Sequence, residues 1–401
     1  MCHRSIATVG KSSRIPELDG LRGLAILLVI FYHYTHGNLL TRSNGLAFYV
    51  QRAAGAGWSG VDLFFVLSGF LIGGILIDAR GSQSFFQTFY IRRFFRIIPI
   101  YYSWIFLYIA LVATAGAAIQ ARSFSGKVLP NGCEVYAHFL FIQNLVPFNF
   151  SAMPGIWGLW FSHLWSLAVE EQFYLIAPLM IAWLTPRHLP AALAAIACCA
   201  PIVRTALFSH LQKFDMTHIM PFRADGLALG MLAAIAWRSP KVRLWLTTNI
   251  RLLYTSAGLL FSGYGLLCWY APDSNSLAIN SFGFTWIAIF YALLLLIAVA
   301  GSNGWLARVV RMAWLREIGR VSYCMYIVHL IAALFFYSVL LREPPEIVTL
   351  PGACVAAVAA AVTYLAARLS WTLLEHPLVR IGHGFKYSAP ATEEVAQLAT
   401  D

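Results

Sequence analysis

Apolar runs of roughly 18 residues or more recur along almost the whole chain, divided by short polar and basic stretches. A run of that length crosses the hydrocarbon core of a bilayer as a helix. The pattern predicts an all-α integral membrane protein, with about ten transmembrane helices around a central cavity and no separate soluble domain. The expected spans are 21–40, 59–77, 97–119, 163–184, 189–210, 218–237, 251–270, 282–300, 318–341 and 348–374. Residues 80–96 mix Arg80, Arg92, Arg93 and Arg96 with aromatics, as an amphipathic segment lying in the interface would. Val135–Phe148 is apolar but too short to span. It carries Asn144 and Pro147 and reads as interfacial or re-entrant. The chain then divides into a polar lead (1–19), a membrane domain (20–380) and a polar tail (381–401).

Charge orients this arrangement. The chain is 60% hydrophobic and 11% charged, with a formal net charge of +11. The basic residues lie between the apolar runs, which points to membrane topology and away from nucleic acid. With ten spans, Arg80, Arg92, Arg93, Arg96, Arg308, Arg311, Arg316 and Arg320 share the side of both termini. Arg42, Arg52, Arg122, Lys127, Lys213 and Arg342 fall on the other side. The excess predicts cytoplasmic termini. If 135–148 crossed, every later loop would invert and the asymmetry would largely vanish. The seven cysteines form no CxxC pair and no His/Cys spacing for zinc, so no metal is expected.

The costly residues inside apolar runs carry the chemistry. In Gly20–Tyr34, Arg22 opens the run and His33 lies well inside it. At ~100° per residue their separation is within ~20° of three full turns, so both leave one helix face, about 16 Å apart along the axis. Asp62, Glu170, Glu171, Arg223, Asp225 and His329 are expected near one level with His33, in the mid-to-outer membrane. The structural alternatives are that a glutamate pairs with Arg223 or Arg204, that Arg223 pairs with Asp225, and that His329 only bridges helices. Arg92, Arg93 and Arg96 are alternatively interface anchors. A donor with phosphates at Arg22, Arg93 and Arg96 and a reactive thioester on a long arm would reach the imidazole. Acyl-coenzyme A has that shape, and His33 would take the proton of an acceptor hydroxyl.

The motifs resemble the acyltransferase 3 family, integral-membrane enzymes that O-acylate sugars, mostly in bacterial envelopes. The resemblance rests on ELDGLRGLAILLVIFYH with Arg22 and His33, GVDLFFVLSGFLI at 60–72 and RRFFRIIPIYY at 92–102 with Arg93-x-x-Arg96. It continues in LWSLAVEEQFYLIAPL at 164–179, VSYCMYIVHL at 321–330 and the closing LEHPLVR at 374–380. It implies a bacterial cytoplasmic-membrane location, an acyl-CoA donor (acetyl-CoA above all) and a sugar or glycan acceptor. It implies essential roles for His33 and Arg22, with Arg93 and Arg96 near the coenzyme and Glu170, Glu171 and His329 as further site residues. A carboxylate such as Glu171 would assist His33, and Arg92 would join the donor-binding arginines. Some members carry an added esterase-like domain, which this chain is expected to lack. A flippase of lipid-linked sugars is the rival reading; it would show related repeats, and the sequence has none.

Overall fold

The computed structural model describes residues 15–35, 55–122, 132–145, 161–210, 216–271 and 276–388, apart from positions 302, 344, 346 and 348. The described residues are mostly helical, with no strand among them. The long helices are α1 (Pro16–Thr35), α2 (Gly60–Asp78) and α3 (Phe85–Arg122). A short α4 (Gly132–Phe139) precedes α5 (Trp165–Trp183), α6 (Leu189–Leu207) and α7 (Met220–Arg238). After α8 (Pro240–Thr248) come α9 (Ile250–Tyr270) and α10 (Phe284–Ala300). Two short helices, α11 (Trp305–Val310) and α12 (Ala313–Arg320), lead to α13 (Ser322–Leu340), α14 (Leu350–Ser370) and α15 (His376–Gly384).

Each of the ten expected spans overlaps one long helix. Among the described residues, seven helical stretches are apolar enough as well as long enough to cross a membrane: 56–78, 85–111, 189–207, 250–270, 279–300, 322–340 and 350–384. The three long helices outside that set are α1, α5 and α7, of 20, 19 and 19 residues. These carry Arg22 and His33, Glu170 and Glu171, and Arg223 and Asp225. Polar side chains that serve a site lower the mean hydropathy of the helix that holds them.

Two boundaries differ from expectation, those near 96 and 380, while the segment after 132 is as short as its sequence predicts. The interfacial segment and the third span form one helix, because α3 runs unbroken from Phe85 through Pro99. Proline lacks the N–H of one ladder bond, and the flanking turns hold the helix together. Only eight residues of 135–148 and its approach are helical, about 12 Å of rise against a core of about 30 Å. The chain turns there at Phe141, which has φ 53°; residues 146–148 lie outside the described segments. The residues 381–388, grouped by sequence with the tail, dock on α3: Arg92 donates to the Phe385 carbonyl at 2.8 and 2.6 Å, and Thr88 donates to the Lys386 carbonyl at 3.2 Å.

Close backbone approach sets the helix crossings. A Cβ on Gly69 of α2 would strike the Leu227 carbonyl of α7, and one on Gly230 would strike the Val66 carbonyl. On α1, a Cβ at Gly20 would meet the Val310 carbonyl and one at Gly23 the Leu315 carbonyl; at Gly319 of α12 it would meet the Asp19 carbonyl. Small residues let membrane helices pack backbone to backbone. These contacts fix α1 in rotation and depth, and with it Arg22 and His33.

Candidate active site

The polar side chains expected at one level separate into three groups. The first is a cluster of imidazoles. His33 of α1 and His329 of α13 meet with Nδ1 of His33 at 3.2 Å from Nε2 of His329. The His33 Nδ1 also lies 2.9 Å from the Val29 carbonyl, and His329 Nδ1 lies 2.7 Å from the Tyr326 carbonyl. Carbonyls only accept, so both Nδ1 atoms carry hydrogen. That leaves the lone pair of His33 on Nε2, where a general base needs it. Tyr34 holds this region by donating to the His329 carbonyl at 3.0 Å. His329 is fully buried, and His33 is partly exposed.

A third ring, His163, closes the cluster from the turn before α5. Its centroid is 4.7 Å from that of His329 and 6.3 Å from that of His33. The sequence reading passed over His163. It lies in the poorly patterned stretch before α5, and its only signal is its place two residues before the Trp165–Ser166 pair of the LWSLAVEEQFY motif. Gln143 fixes this turn by donating to the Leu164 carbonyl at 2.9 Å. Gln172 and Asn144 exchange hydrogen bonds at 2.8 and 3.2 Å, which ties residues 141–145 to α5.

The second group lies below the imidazoles, about 16 Å away along α1 and about 10 Å away along α5 at 1.5 Å per residue. Arg22 of α1, Arg93 and Arg96 of α3, and Glu170 and Glu171 of α5 sense one another's charge here. Glu170 accepts from Ser68 of α2 at 3.0 Å and from Tyr174 at 3.1 Å. A π-helical turn, Trp371–Glu375, buries Glu375 from the closing motif beside Arg96 and Arg22. Such a bulge re-aims a side chain and often marks a functional position. Arg22, Arg93 and Arg96 are each half-buried, yet among the described residues none makes a hydrogen bond or ion pair. By contrast Arg204, Arg223, Arg238, Arg311, Arg320 and Arg368 each hold a carboxylate. Three half-buried guanidiniums without carboxylates in hydrogen-bond reach are suited to an anionic ligand.

Two expected placements differ. Glu170 and Glu171 stand with the arginines, while His33 meets the Val29 carbonyl and His329. The turn count from His163 to Glu170 puts the carboxylates on the lower level. Arg92 points away from the group onto the Phe385 carbonyl and the Tyr387 ring, 5.0 Å from its centroid.

The third group is structural. Arg223 of α7 pairs with Asp62 of α2 at 2.6 Å and lies 3.9 Å from the Phe284 ring centroid. Arg204 of α6 pairs with Asp225 of α7 at 3.0 Å, and Thr285 donates to the same carboxylate at 2.6 Å. Neither arginine takes a glutamate, and Arg223 does not pair with Asp225. Removing one partner of a buried pair strands the other charge, at about 3–5 kcal/mol. Asp225→Ala is therefore expected to lower the unfolding midpoint of the detergent-solubilised protein strongly. An unchanged midpoint would contradict a structural role.

Comparison with known proteins follows this geometry. A family profile described as an acyltransferase domain matches residues 15–366. The chain is 26% identical over 381 residues to the peptidoglycan O-acetyltransferase OatA of Listeria monocytogenes, covering 92% of this chain and 56% of that one. It is 27% identical over 379 residues to the putative peptidoglycan O-acetyltransferase YrhL of Bacillus subtilis, covering 91% and 55%. A putative O-acetyltransferase of Staphylococcus aureus is 26% identical over 344 residues, covering 82% and 52%. The chain thus spans about half the length of these relatives. No solved structure matches it. The profile covers every described helix that contributes to the imidazole cluster and, but for Glu375, every residue named in the arginine group, so the chain belongs to the acyltransferase family of integral membrane proteins.

Proposed function

We propose that this chain is a membrane O-acyltransferase that moves an acyl group, acetyl first among them, from acyl-CoA to a hydroxyl of an envelope glycan. The observation that carries the donor is the group of three half-buried arginines, Arg22, Arg93 and Arg96, with no carboxylate in ion-pair reach among the described residues. Phosphates of the coenzyme would take these guanidiniums, which are always charged and fork-shaped. The pantetheine arm would rise about 16 Å to bring its thioester to the imidazoles, a distance set by the helix rise between Arg22 and His33. The half-buried residues of α2 from the imidazole side down to the arginine level, Phe64 and Ser68, stand one turn apart on one face and would line that path.

At the imidazole level His33 would act as general base. Its Nε2 takes the acceptor's proton as the hydroxyl oxygen attacks the thioester carbon. The C–S bond then breaks, and the proton returns to the leaving sulfur. His329, accepting from His33 Nδ1, would hold the ring in this tautomer, the part a carboxylate takes in a hydrolase triad. Glu170 and Glu171 would space and orient the donor arginines. The relatives named as peptidoglycan O-acetyltransferases support a glycan acceptor and make peptidoglycan the first to try.

The spans would number ten, with α1, α5 and α7 crossing beside the seven apolar stretches. Both termini, and hence the arginine level, would face the cytoplasm, where coenzyme A is available; the basic loops support that orientation. The test compares two donors. Arg93→Gln with Arg96→Gln is expected to raise KM for acetyl-CoA by about 100-fold, since charge-assisted bonds contribute about 1.5–3 kcal/mol each. For acetyl-pantetheine, which lacks the nucleotide phosphates, KM should hardly change. Equal KM values for acetyl-CoA in the variant and the wild type would return both arginines to the role of interface anchors.

A further inference from the structure

The backbone carbonyl beside each of the three imidazoles assigns an N–H to that ring, and among the described residues the assignment leaves one buried lone pair, on His163, without a donor. A neutral imidazole has one N–H and one lone pair. The His33 Nδ1–H is shared between the Val29 carbonyl and His329 Nε2, and the His329 Nδ1–H goes to the Tyr326 carbonyl. The His163 Nε2 lies 3.2 Å from the Ile327 carbonyl and must be the protonated nitrogen of that ring. Its Nδ1 then carries the lone pair, and that atom is buried with no hydrogen-bond partner among the described residues. The residue is only 3% exposed. A buried acceptor without a donor costs free energy that a leucine or phenylalanine in this place would avoid.

We propose that His163 is a positioning residue for the transfer, one that stabilises the charge the His33–His329 pair acquires in mid-reaction. This rests on His33 being the base. When the acceptor's proton reaches His33 Nε2, the pair holds one positive charge, which His33 Nδ1–H shares with His329 Nε2. The proton later leaves from His33 to the thiolate. For that interval the neighbouring ring offers a fixed dipole. The positive N–H end of His163 is tied to the α13 backbone, and its ring, with the unprotonated Nδ1, lies 4.7 Å from His329 and 6.3 Å from His33 between centroids, close enough for that lone pair to lower the energy of the charge. Groups that titrate around the three rings are Tyr326 from α13, Tyr34 from α1 and His138 from α4. Glu170, on the arginine level, acts by charge on Tyr326.

Two variants separate this role from a merely structural one. His163→Gln keeps an amide N–H within reach of the Ile327 carbonyl and removes the Nδ1 acceptor. His163→Asn keeps an acceptor near the Nδ1 position and gives up the bond to Ile327. The Gln variant is expected to bind donor normally and to lose about tenfold or more in kcat, part of the range ascribed to general-base catalysis. The acid limb of its pH profile should move to lower pH. A charged pair with less support binds its proton less tightly, so His33 is free to act at lower pH but is a weaker base. The Asn variant should keep the wild-type profile even if it melts earlier. Wild-type kcat and profile in the Gln variant would overturn the proposal and leave His163 as a tie to α13. If the Gln variant does not fold, a shifted profile in the Asn variant overturns it equally. Full transfer by His33→Ala, with His163 intact, would instead overturn the reading on which the proposal rests.

Discussion

His33→Ala should lose about 10³-fold in acyl transfer, within the 10²–10⁴ that a positioned acid or base supplies, while binding acetyl-CoA as the wild type does. Both halves of this expectation come from geometry. The variant removes Nε2, the nitrogen that the Val29 carbonyl and His329 leave unprotonated. It leaves the arginine group alone, because that group lies about 16 Å away along α1 by the helix rise. Equilibrium binding of labelled acetyl-CoA and release of coenzyme A, measured on one purified sample, check the two halves together. Lost binding would mean that the donor reaches further into the imidazoles than the arm allows. Retained transfer would remove His33 from the chemistry.

Substitution at the α2–α7 crossing should do the most damage to the fold. Gly69→Val or Gly230→Val would drive a side chain into the facing carbonyl of Leu227 or Val66. Backbone cannot rotate away as a side chain can, so the helices must separate. Overpacking in a close-packed interior costs about 1–3 kcal/mol and more where nothing yields. Separation would also stretch the Asp62–Arg223 bond, which joins the same two helices at 2.6 Å. The expected result is a protein that no longer elutes as one species from a size-exclusion column in detergent. Gly258 and Gly265 of α9 have nothing within 4 Å of an added Cβ, and their valine variants should behave as the wild type. Equal behaviour of all four variants would show that the crossing is looser than described.

Much of this architecture is legible in the sequence because hydropathy reports length and burial directly. Among the described residues, ten long helices overlap the ten runs, seven of them apolar enough to cross a membrane. The 11-residue step from Arg22 to His33 places both on one face, as helical periodicity requires. Rotation and partnership are less legible. Nothing in the local pattern says that Arg223 turns to Asp62, 161 positions away; it speaks only against Asp225, two positions away on its own helix. Residues two apart leave a helix nearly opposite one another, so that pairing is disfavoured. Glu170 and Glu171 show the same limit. Depth along α5 assigns them to the arginine level only once the start of α5 is known, and the apolar pattern blurs there. His163 sits in that blur, and a lone histidine near a span end carries no periodic signal.

The most direct measurement is transfer of label from [14C]acetyl-CoA to peptidoglycan glycan by the purified protein in proteoliposomes. The account predicts an alkali-labile acetyl ester on the glycan, formed in step with release of coenzyme A and absent with His33→Ala. Movement of a lipid-linked sugar across the vesicle membrane with no acetyl label on it would contradict the account and favour a transporter.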